Sequence, residues 1–477
     1  MKPGLPLLLI LATLLPANLN GQKELMDTIL ADTAFTGTSY SFCFADAITG
    51  EIIFSHDAER NLSSASVMKL YPTSVALSLL GPCYRYSTTL CIAGDFNSKR
   101  GILDGDVIII GGGDPALGSE YFREHYGDVT GTWVKALKKA GVRRIRGRVA
   151  AAESIYDYSP VPDGWAWGDL GYSYGAGVYD ININDNKFRI FVTGKSEGEP
   201  AVIDSAEVYG CGIKLTNSLI SSGRSNRSDI YTAPFSSTVT VTGTVPADSS
   251  IAMRTSIPDP PLALLTMLDA AMRAAGIDIT DKPGADRVSL DGRKVLIINE
   301  IDSPPLADII KVTNHESVNM YAEAIRKHLG YEILGKGTFS AGSEVIRHFL
   351  DSIGCEPYEA VMLDGSGLSS NNNISALMTV RLLVHMYNSN VAGPFVSSLP
   401  MGAVSGTMKN YFVDEMFKGR VVAKTGTITS AKSFAGYFTT NSGRRIAFTT
   451  FANGFTVPSR MITDNMERIV REIILKY

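Results

Sequence analysis

The chain has 477 residues, of which 45% are hydrophobic and 19% are charged, and its formal net charge is −4. Such a length and composition are typical of a globular protein with several domains, and they exclude an extensively disordered chain. Long blocks of like charge are absent from the sequence, which argues against a nucleic-acid partner.

The N-terminus differs from the rest of the chain. Lys2 precedes an apolar run over residues 5–15, which is too short to span a bilayer and has the length of a signal-peptide core. We therefore interpret residues 1–21 as an export signal, with no sharply defined cleavage site, and expect a periplasmic location. No later apolar run is long enough to span a membrane, so any membrane contact is expected to be peripheral.

The first elements after this segment are a hairpin and a helix. Residues 38–55 have the pattern of two short strands around a turn at residues 46–50. A helix is expected after Asn61 and extends to about Leu80. Pro72 lies within this stretch, which predicts a kink or an early helix start.

This helix carries Ser66-Val67-Met68-Lys69, an S-x-x-K motif. Residues three apart share one face of a helix, so the Lys69 amine can take the proton of the Ser66 hydroxyl. A serine hydroxyl needs such a base before it can attack a carbonyl carbon. The motif is common by itself, and an amphipathic helix with a solvated lysine explains a lone match equally well.

The middle of the chain has the patterns of a β-rich region. An Asp-Gly pair at residues 104–105 predicts a turn before a buried strand, and residues 156–190 are rich in Tyr, Trp and Gly. We interpret residues 85–295 as an inserted domain, with a nested third domain near residues 155–235. Residues 22–84 and 296–477 then form the domain that carries the S-x-x-K motif.

Cysteine and histidine spacing gives no sign of a metal or cofactor site. The five cysteines contain no C-x-x-C, and His315-Glu316 does not continue into H-E-x-x-H. Cys83 and Cys91 are close enough in sequence to pair in an exported protein, but their spacing leaves this open.

Two S-x-N sequences follow in the C-terminal part. Ser317-Val318-Asn319 precedes a helical segment, whereas Ser369-Ser370-Asn371 belongs to a Ser/Asn-rich stretch that also has the composition of a solvated turn. The pattern alone does not decide between them.

Strand patterns return at the end of the chain, at residues 420–423, 433–439 and 445–452, and a last helix is expected over residues 465–477. Lys424-Thr425-Gly426-Thr427, a K-T-G-T sequence, follows the first of these strands. Strands at both ends of the chain predict a single sheet built from both.

S-x-x-K, S-x-N and K-T-G in this order form the signature of penicillin-binding proteins and β-lactamases. The chain resembles the class C penicillin-binding proteins, the D-alanyl-D-alanine carboxypeptidase/endopeptidase family, over nearly its whole length after the signal. Besides the three motifs, the resemblance is carried by the sequence tracts at residues 111–115, 164–169 and 364–369.

The resemblance implies an α/β (α+β) fold: a transpeptidase-like domain with an antiparallel sheet flanked by helices, carrying the inserted β-rich region. About 200 residues between Ser66 and Ser317 exceed what a compact acyl-serine domain requires, which argues against a simple β-lactamase. The resemblance also favours Ser317 and Asn319 as the second motif, because an acidic residue follows Asn319 soon after in the helix.

Roles for the motif residues follow from the chemistry and from the resemblance. Ser66 is the expected nucleophile and Lys69 its base, kept neutral by burial and by nearby cations. Ser317 is expected to relay a proton to the leaving amine, and Asn319 to bind Lys69 or the substrate amide. Lys424 is expected to lower the pKa of Lys69 and to attract the substrate carboxylate.

The remaining expected site residues bind substrate. Thr425 is expected to bind the terminal carboxylate, and Gly426 to let the substrate backbone approach its strand. The resemblance implies that the N–H groups of Ser66 and Thr427 form the oxyanion hole.

One departure concerns the third residue of the peptidoglycan stem peptide, which the resemblance implies as substrate. Asp169 resembles an acidic residue of the family that helps to hold the charged end of this third residue. The family has an arginine at a second position that contacts it, and this position is Ser370 here. The resemblance therefore leaves recognition of a free carboxylate there in question.

The sequence thus predicts a serine DD-carboxypeptidase/endopeptidase that acts on peptidoglycan stem peptides and is acylated by β-lactam antibiotics. The alternatives are a β-lactamase-like hydrolase and a non-catalytic cell-wall or penicillin sensor. The balance of the two activities, the third peptide residue and the oligomeric state are not determined by the sequence.

Overall fold

A computed structural model describes residue 31 and residues 36–207, 212–355 and 360–477. The predicted export signal at residues 1–21 and Cys211 lie outside the described residues. None of the helices in these ranges is both long and apolar enough to cross a membrane.

Both ends of the chain build one five-stranded antiparallel sheet, as the strand patterns predict. Its strands are β1 Ser39–Asp46, β2 Ile52–His56, β16 Val421–Ile428, β17 Ala431–Thr439 and β18 Arg445–Asn453. Their order in the sheet is β16-β17-β18-β1-β2, so β16, which carries the K-T-G-T sequence, is an edge strand.

Helices cover both faces of this sheet. Side chains along each strand alternate between the faces, and apolar side chains on both faces pack against helices. Phe44 and Phe448 lie in the hydrophobic cluster that includes the apolar side of the C-terminal helix α10, Ser459–Lys476. Cys43 belongs to the larger cluster on the opposite face, with α8, Ala376–Tyr387. The sheet is therefore the middle layer of an α+β domain.

The other helices of this part flank the second and larger cluster. The predicted helical segment 305–330 is divided at Ser317, where the backbone adopts φ +59°. These helices are α1 Leu70–Leu79, α5 Leu306–His315, α6 Asn319–Leu334, α7 Phe339–Ser352 and α9 Ala392–Ser397.

Within the residues that the structure describes, the middle of the chain contains a seven-stranded sheet and three α-helices. Its strands are β3 Ser87–Asn97, β4 Ile102–Ile110, β5 Arg144–Ile145, β6 Val149–Ala152, β13 Asp278–Ile279, β14 Arg287–Val288 and β15 Val295–Asp302. The helices are α2 Arg123–Tyr126, α3 Val129–Lys139 and α4 Pro260–Ala274.

Two smaller three-stranded sheets lie within this middle part. One contains β7 Lys187–Thr193, β8 Val202–Ala206 and β12 Ser250–Ser256, and the other contains β9 Lys214–Ser221, β10 Arg227–Tyr231 and β11 Thr238–Val245. Strand β15 begins at residue 295, the predicted end of the inserted domain, yet it pairs with β3 and so belongs to the seven-stranded sheet. The division into domains at residues 84, 295 and 155–235 stays a prediction.

One local expectation is wrong. Asp104 and Gly105 do not form a turn but lie inside β4, where Gly105 faces Gly94 of β3. A Cβ on Gly105 would lie 2.2 Å from the carbonyl oxygen of Ala93, so this glycine permits a close approach of two strands.

Cys83 and Cys91 are both free thiols, the first exposed and the second buried in β3, so the pairing left open by the sequence does not form.

Candidate active site

Ser66 lies in a tight 3₁₀ turn, Ala65–Lys69, that leads directly into α1. The α-helix expected after Asn61 begins only at Leu70, so Ser66 and Lys69 precede it. Pro72 occupies the first turn of α1, where a missing N–H has no helical partner to lose. Ala65 has the unusual backbone angle φ +44°, which turns the chain sharply before the serine.

Two glycines let neighbouring segments pack closely against this turn. At each of the two positions, backbone atoms of the turn leave no room for a side chain. A Cβ on Gly367 would lie 1.8 Å from the carbonyl oxygen of Ala65, and Gly367 itself has φ +78°. A Cβ on Gly426 would lie 2.6 Å from the carbonyl oxygen of Ser64. The absence of a side chain at Gly426 therefore serves packing against the serine segment, a role the sequence analysis did not anticipate.

Lys69 is fully buried, and its Nζ atom contacts three oxygen atoms. It lies 3.0 Å from Ser66 Oγ, 2.6 Å from Asn319 Oδ1 and 2.6 Å from the carbonyl oxygen of Ser366. The amide and carbonyl oxygens can only accept, so a neutral amine donates both of its N–H groups to them. Its lone pair then points to the third neighbour, the Ser66 hydroxyl.

Burial lowers the pKa of Lys69 to about 7. The carboxyl groups of Asp364 and Glu323 oppose this effect and raise the pKa of Lys69. Loss of hydration, rather than a neighbouring cation, therefore brings the amine close to neutrality, which differs from the contribution expected of Lys424.

These two carboxyl groups also shape the loop that faces Lys69. Glu323 Oε1 accepts the N–H groups of Gly365 and Ser366 at 2.8 and 2.7 Å. Asp364 accepts the N–H groups of Gly367 and Ser369, both at 2.7 Å. The Ser366 carbonyl is thereby fixed where it meets the Lys69 amine.

Ser317 and Asn319 form the S-x-N motif that reaches the serine. The Ser317 hydroxyl accepts a 2.9 Å hydrogen bond from Lys424 Nζ, and Asn319 binds Lys69 on one side and the carbonyl of Tyr174 on the other. In the second candidate, Ser369 Oγ accepts the N–H of Asn371 within its own loop. The structure thus brings the first motif, and not the second, to the two lysines.

Lys424 lies fully buried in β16. Its Nζ atom donates to Ser317 Oγ and, at 2.8 Å, to the carbonyl of Thr425, and no ion pair to it occurs within the described residues. Burial, together with the charges of Lys69 and Lys432, holds the pKa of Lys424 well below its usual value.

These groups border a cleft of about 560 Å³ in which Ser66, Ser317, Asn319 and Thr427 are all part of the wall. Thr425 is 7% exposed, and neither it nor Gly426 contributes to this wall. The other residues that line the cleft are Gly164, Ala166, Asp169, Tyr174, Gly367, Leu368, Ser370, Ile428 and Thr429.

The middle part of the chain supplies one side of the cleft. The Tyr174 hydroxyl donates to Asp169 Oδ1 at 3.1 Å, and Ser370 is an exposed residue of the same cleft. Trp165 Nε1 donates to Asp364 at 3.0 Å, whereas Trp167 is 65% exposed. The aromatic tract therefore joins the middle part to the cleft instead of forming a core.

Sequence reasoning did not single out Glu323, Asp364 or Lys432 as site residues. The first two are visible as acidic residues within motif segments, but the loop contacts that they make are to backbone N–H groups, which no side-chain pattern specifies. Lys432 carries a clearer signal, since it is a lysine in the otherwise uncharged strand β17, in register with Thr427.

The chain is similar to known proteins over most of its length. The model of the D-Ala-D-Ala carboxypeptidase 3 (S13) family matches residues 22–473. A D-alanyl-D-alanine carboxypeptidase of Actinomadura sp. (strain R39) is 29% identical over 476 residues, which cover 96% of this chain and 86% of that protein.

Solved structures show the same fold. Penicillin binding protein 4 (dacB) from Haemophilus influenzae superposes with a TM-score of 0.82 at 19% identity, covering 95% of this chain and 99% of that one. The same protein complexed with a β-lactam superposes with a TM-score of 0.78 at 19% identity and equal coverage. The family match over nearly the whole chain shows that this protein belongs to the D-Ala-D-Ala carboxypeptidase 3 (S13) family of serine-type carboxypeptidases.

Proposed function

We propose that the chain is a serine DD-carboxypeptidase/endopeptidase that hydrolyses D-alanyl bonds of peptidoglycan stem peptides through an acyl-enzyme on Ser66. The observation that carries the proposal is the buried Lys69 amine, 3.0 Å from Ser66 Oγ and with its pKa lowered to about 7. A base with this pKa is partly neutral at physiological pH and can accept the serine proton.

In the acylation step Ser66 Oγ bonds to the carbonyl carbon of the penultimate D-alanine while its proton moves to Lys69 Nζ. The N–H groups of Ser66 and Thr427 stabilise the resulting oxyanion. The bond to the leaving nitrogen then breaks, and that nitrogen needs a proton. Ser317 relays it: its hydroxyl proton passes to the nitrogen and is replaced by the proton that Lys69 took from Ser66, which returns Lys69 to its neutral form. The Ser317 oxygen accepts a hydrogen bond from Lys424, so its own proton is free to point to the leaving nitrogen.

In the deacylation step water takes the place of the leaving amine. The neutral Lys69 removes a proton from water, whose oxygen bonds to the acyl carbon, and returns that proton to Ser66 Oγ as the ester bond breaks. The same two steps cleave either a terminal D-alanine or a D-alanyl cross-link, since only the group attached to the leaving nitrogen differs. We infer that the substrate lies along the edge strand β16 beyond Ala423, since Pro400 and Gly402 already bond the outer side of the strand at Val421 and Ala423.

Asp169 and Ser370 are proposed to face the third residue of the peptide. Asp169 is the only acidic side chain among the residues that line the described cleft, and none of those residues is a lysine or arginine. The site therefore favours a third residue whose side chain ends in an ammonium group without an adjacent carboxylate.

The proposal places the enzyme in the periplasm, with the peptidoglycan. This rests on the apolar run behind Lys2, which has the proportions of a signal peptide. Cleavage of the exported protein within residues 17–21, detected by N-terminal sequencing, is the expected result.

A labelled penicillin tests the mechanism. We expect stable labelling and D-alanine release from a synthetic pentapeptide, both abolished by Ser66→Ala and unaffected by the control Ser55→Ala, which alters an exposed serine of β2. Rapid turnover of the penicillin would instead indicate a β-lactamase, and the absence of labelling and of D-alanine release would indicate a non-catalytic protein.

A further inference from the structure

A buried lysine adjoins the cleft without a role in the steps above. Lys432 in β17 pairs directly with Thr427 in β16 and is 1% exposed. Its Nζ atom lies 2.9 Å from Thr427 Oγ1 and 2.7 Å from the hydroxyl of Tyr411, and 4.1 Å from the centre of the Tyr411 ring. The amine is thus held between an aromatic face and a residue of the cleft wall.

The hydrogen bond to Thr427 determines how that threonine can act. A lysine ammonium group only donates, so the Thr427 oxygen must accept from it. The single hydroxyl proton of Thr427 is then left for another acceptor. Because Thr427 is exposed and lines the same cleft as Ser66, this proton is available to a bound ligand.

The three lysines around the cleft differ in charge. Burial brings the pKa of Lys69 to about 7 and holds that of Lys424 well below its usual value, with neighbouring cations adding to the effect on Lys424. Burial lowers the pKa of Lys432 only to about 8, because Glu467 opposes it. At neutral pH Lys432 is therefore the lysine that keeps most of its positive charge.

We propose that Lys432 is a positioning residue for recognition of the substrate's C-terminal carboxylate, acting through the Thr427 hydroxyl. The ammonium group fixes this hydroxyl as a donor directed into the cleft, and its charge polarises the hydroxyl and so strengthens the hydrogen bond that it donates to the carboxylate. The inference rests on the proposed function and assigns to Lys432 and Thr427 the carboxylate binding expected of Lys424 and Thr425.

The test compares a synthetic acyl-D-Ala-D-Ala peptide with the same peptide ending in a carboxamide. We expect Lys432→Met to lower the ratio of kcat/KM values, carboxylate over carboxamide, about tenfold, the effect of one charge-assisted hydrogen bond. The control Lys409→Met, at an exposed lysine, should leave the ratio unchanged.

A double-mutant cycle identifies the route of the effect. If Lys432 acts through Thr427, Lys432→Met should change the ratio less than about twofold in a Thr427→Val background. An equal loss of activity toward both peptides, or a full tenfold change without the Thr427 hydroxyl, would overturn the proposal.

Two further measurements keep the outcome interpretable. If Lys432→Met does not fold, Lys432→Gln retains a donor but no charge, and an unchanged ratio in this variant would also overturn the proposal. If the unaltered protein is not labelled by penicillin at Ser66 and releases no D-alanine, the proposed function fails. A labelled enzyme with an unaltered ratio in the variants refutes the role of Lys432 alone.

Discussion

Lys69 and Asn319 are 250 positions apart in the sequence, yet Lys69 Nζ lies 2.6 Å from Asn319 Oδ1. The amide oxygen accepts one N–H of the lysine, while the amide nitrogen donates to the carbonyl of Tyr174 at 2.9 Å. One side chain thereby joins the proposed base to a segment of the middle part of the chain. The orientation of the Lys69 lone pair toward Ser66 depends on this contact.

Asn319→Asp should move the pH dependence of acylation to higher pH. A carboxylate beside Lys69 stabilises its ammonium form and raises its pKa above about 7. Acylation requires the neutral amine, so its rate rises with pH through this pKa, and the rising limb shifts to alkaline pH. The measurement is the second-order rate constant of penicillin acylation against pH. Asn371→Asp, in an exposed loop position, is the control, and equal profiles for both variants would contradict the assignment.

Glu323→Gln should shift the same limb in the opposite direction. The Glu323 carboxyl raises the pKa of Lys69, and its own pKa is raised to about 7 by burial and by Asp364. Glutamine removes the negative charge while its oxygen can still accept the N–H groups of Gly365 and Ser366. We expect the rising limb to move to lower pH than in the unaltered enzyme. Glu316→Gln, at an exposed position, should not move it.

Much of this architecture can be predicted from the sequence, and the limits have physical causes. The strands at both chain ends, and their union in one sheet, follow from local apolar patterns. The distinction between Thr425 and Thr427 does not. As residues two apart they share one face of β16, yet Thr425 is 7% exposed while Thr427 is exposed and lines the cleft. This difference depends on what packs against each position along the strand, which a motif does not specify.

The source of the Lys69 pKa shift could be predicted only in part. Burial and nearby cations were both expected to lower this pKa. Burial does have the largest effect, but the charged groups that act on Lys69 are two carboxyl groups, which raise its pKa. Burial is a property of the whole packed site, and Glu323 and Asp364 act over distances that only the fold determines. The departure at Ser370, in contrast, was readable from the sequence, and the structure places this residue in the cleft.

Gly367→Ala should destabilise the fold and abolish acylation. The new methyl group would lie 1.8 Å from the carbonyl oxygen of Ala65, beside the nucleophile. Gly443→Ala is a matched control, because Gly443 also has positive φ, +88°, but no atom within 4 Å of the added Cβ. We expect a loss of about 1 kcal/mol in the free energy of unfolding for the control, from backbone strain alone. The Gly367 variant should lose at least about 2 kcal/mol, measured by urea denaturation.

Ser370→Arg should change which third residue the enzyme accepts. The substitution places a guanidinium group in a cleft whose described lining has Asp169 as its one charged side chain. Arginine binds carboxylates through paired hydrogen bonds, so peptides whose third side chain carries both an ammonium and a carboxylate group should gain. We expect the kcat/KM ratio of a diaminopimelate peptide over a lysine peptide to rise about tenfold. Asn371→Arg adds the same charge one position away, at a residue that does not line the cleft, and should leave the ratio unaltered. A rise of equal size in both variants would mean that surface charge, and not the subsite at Ser370, sets the preference.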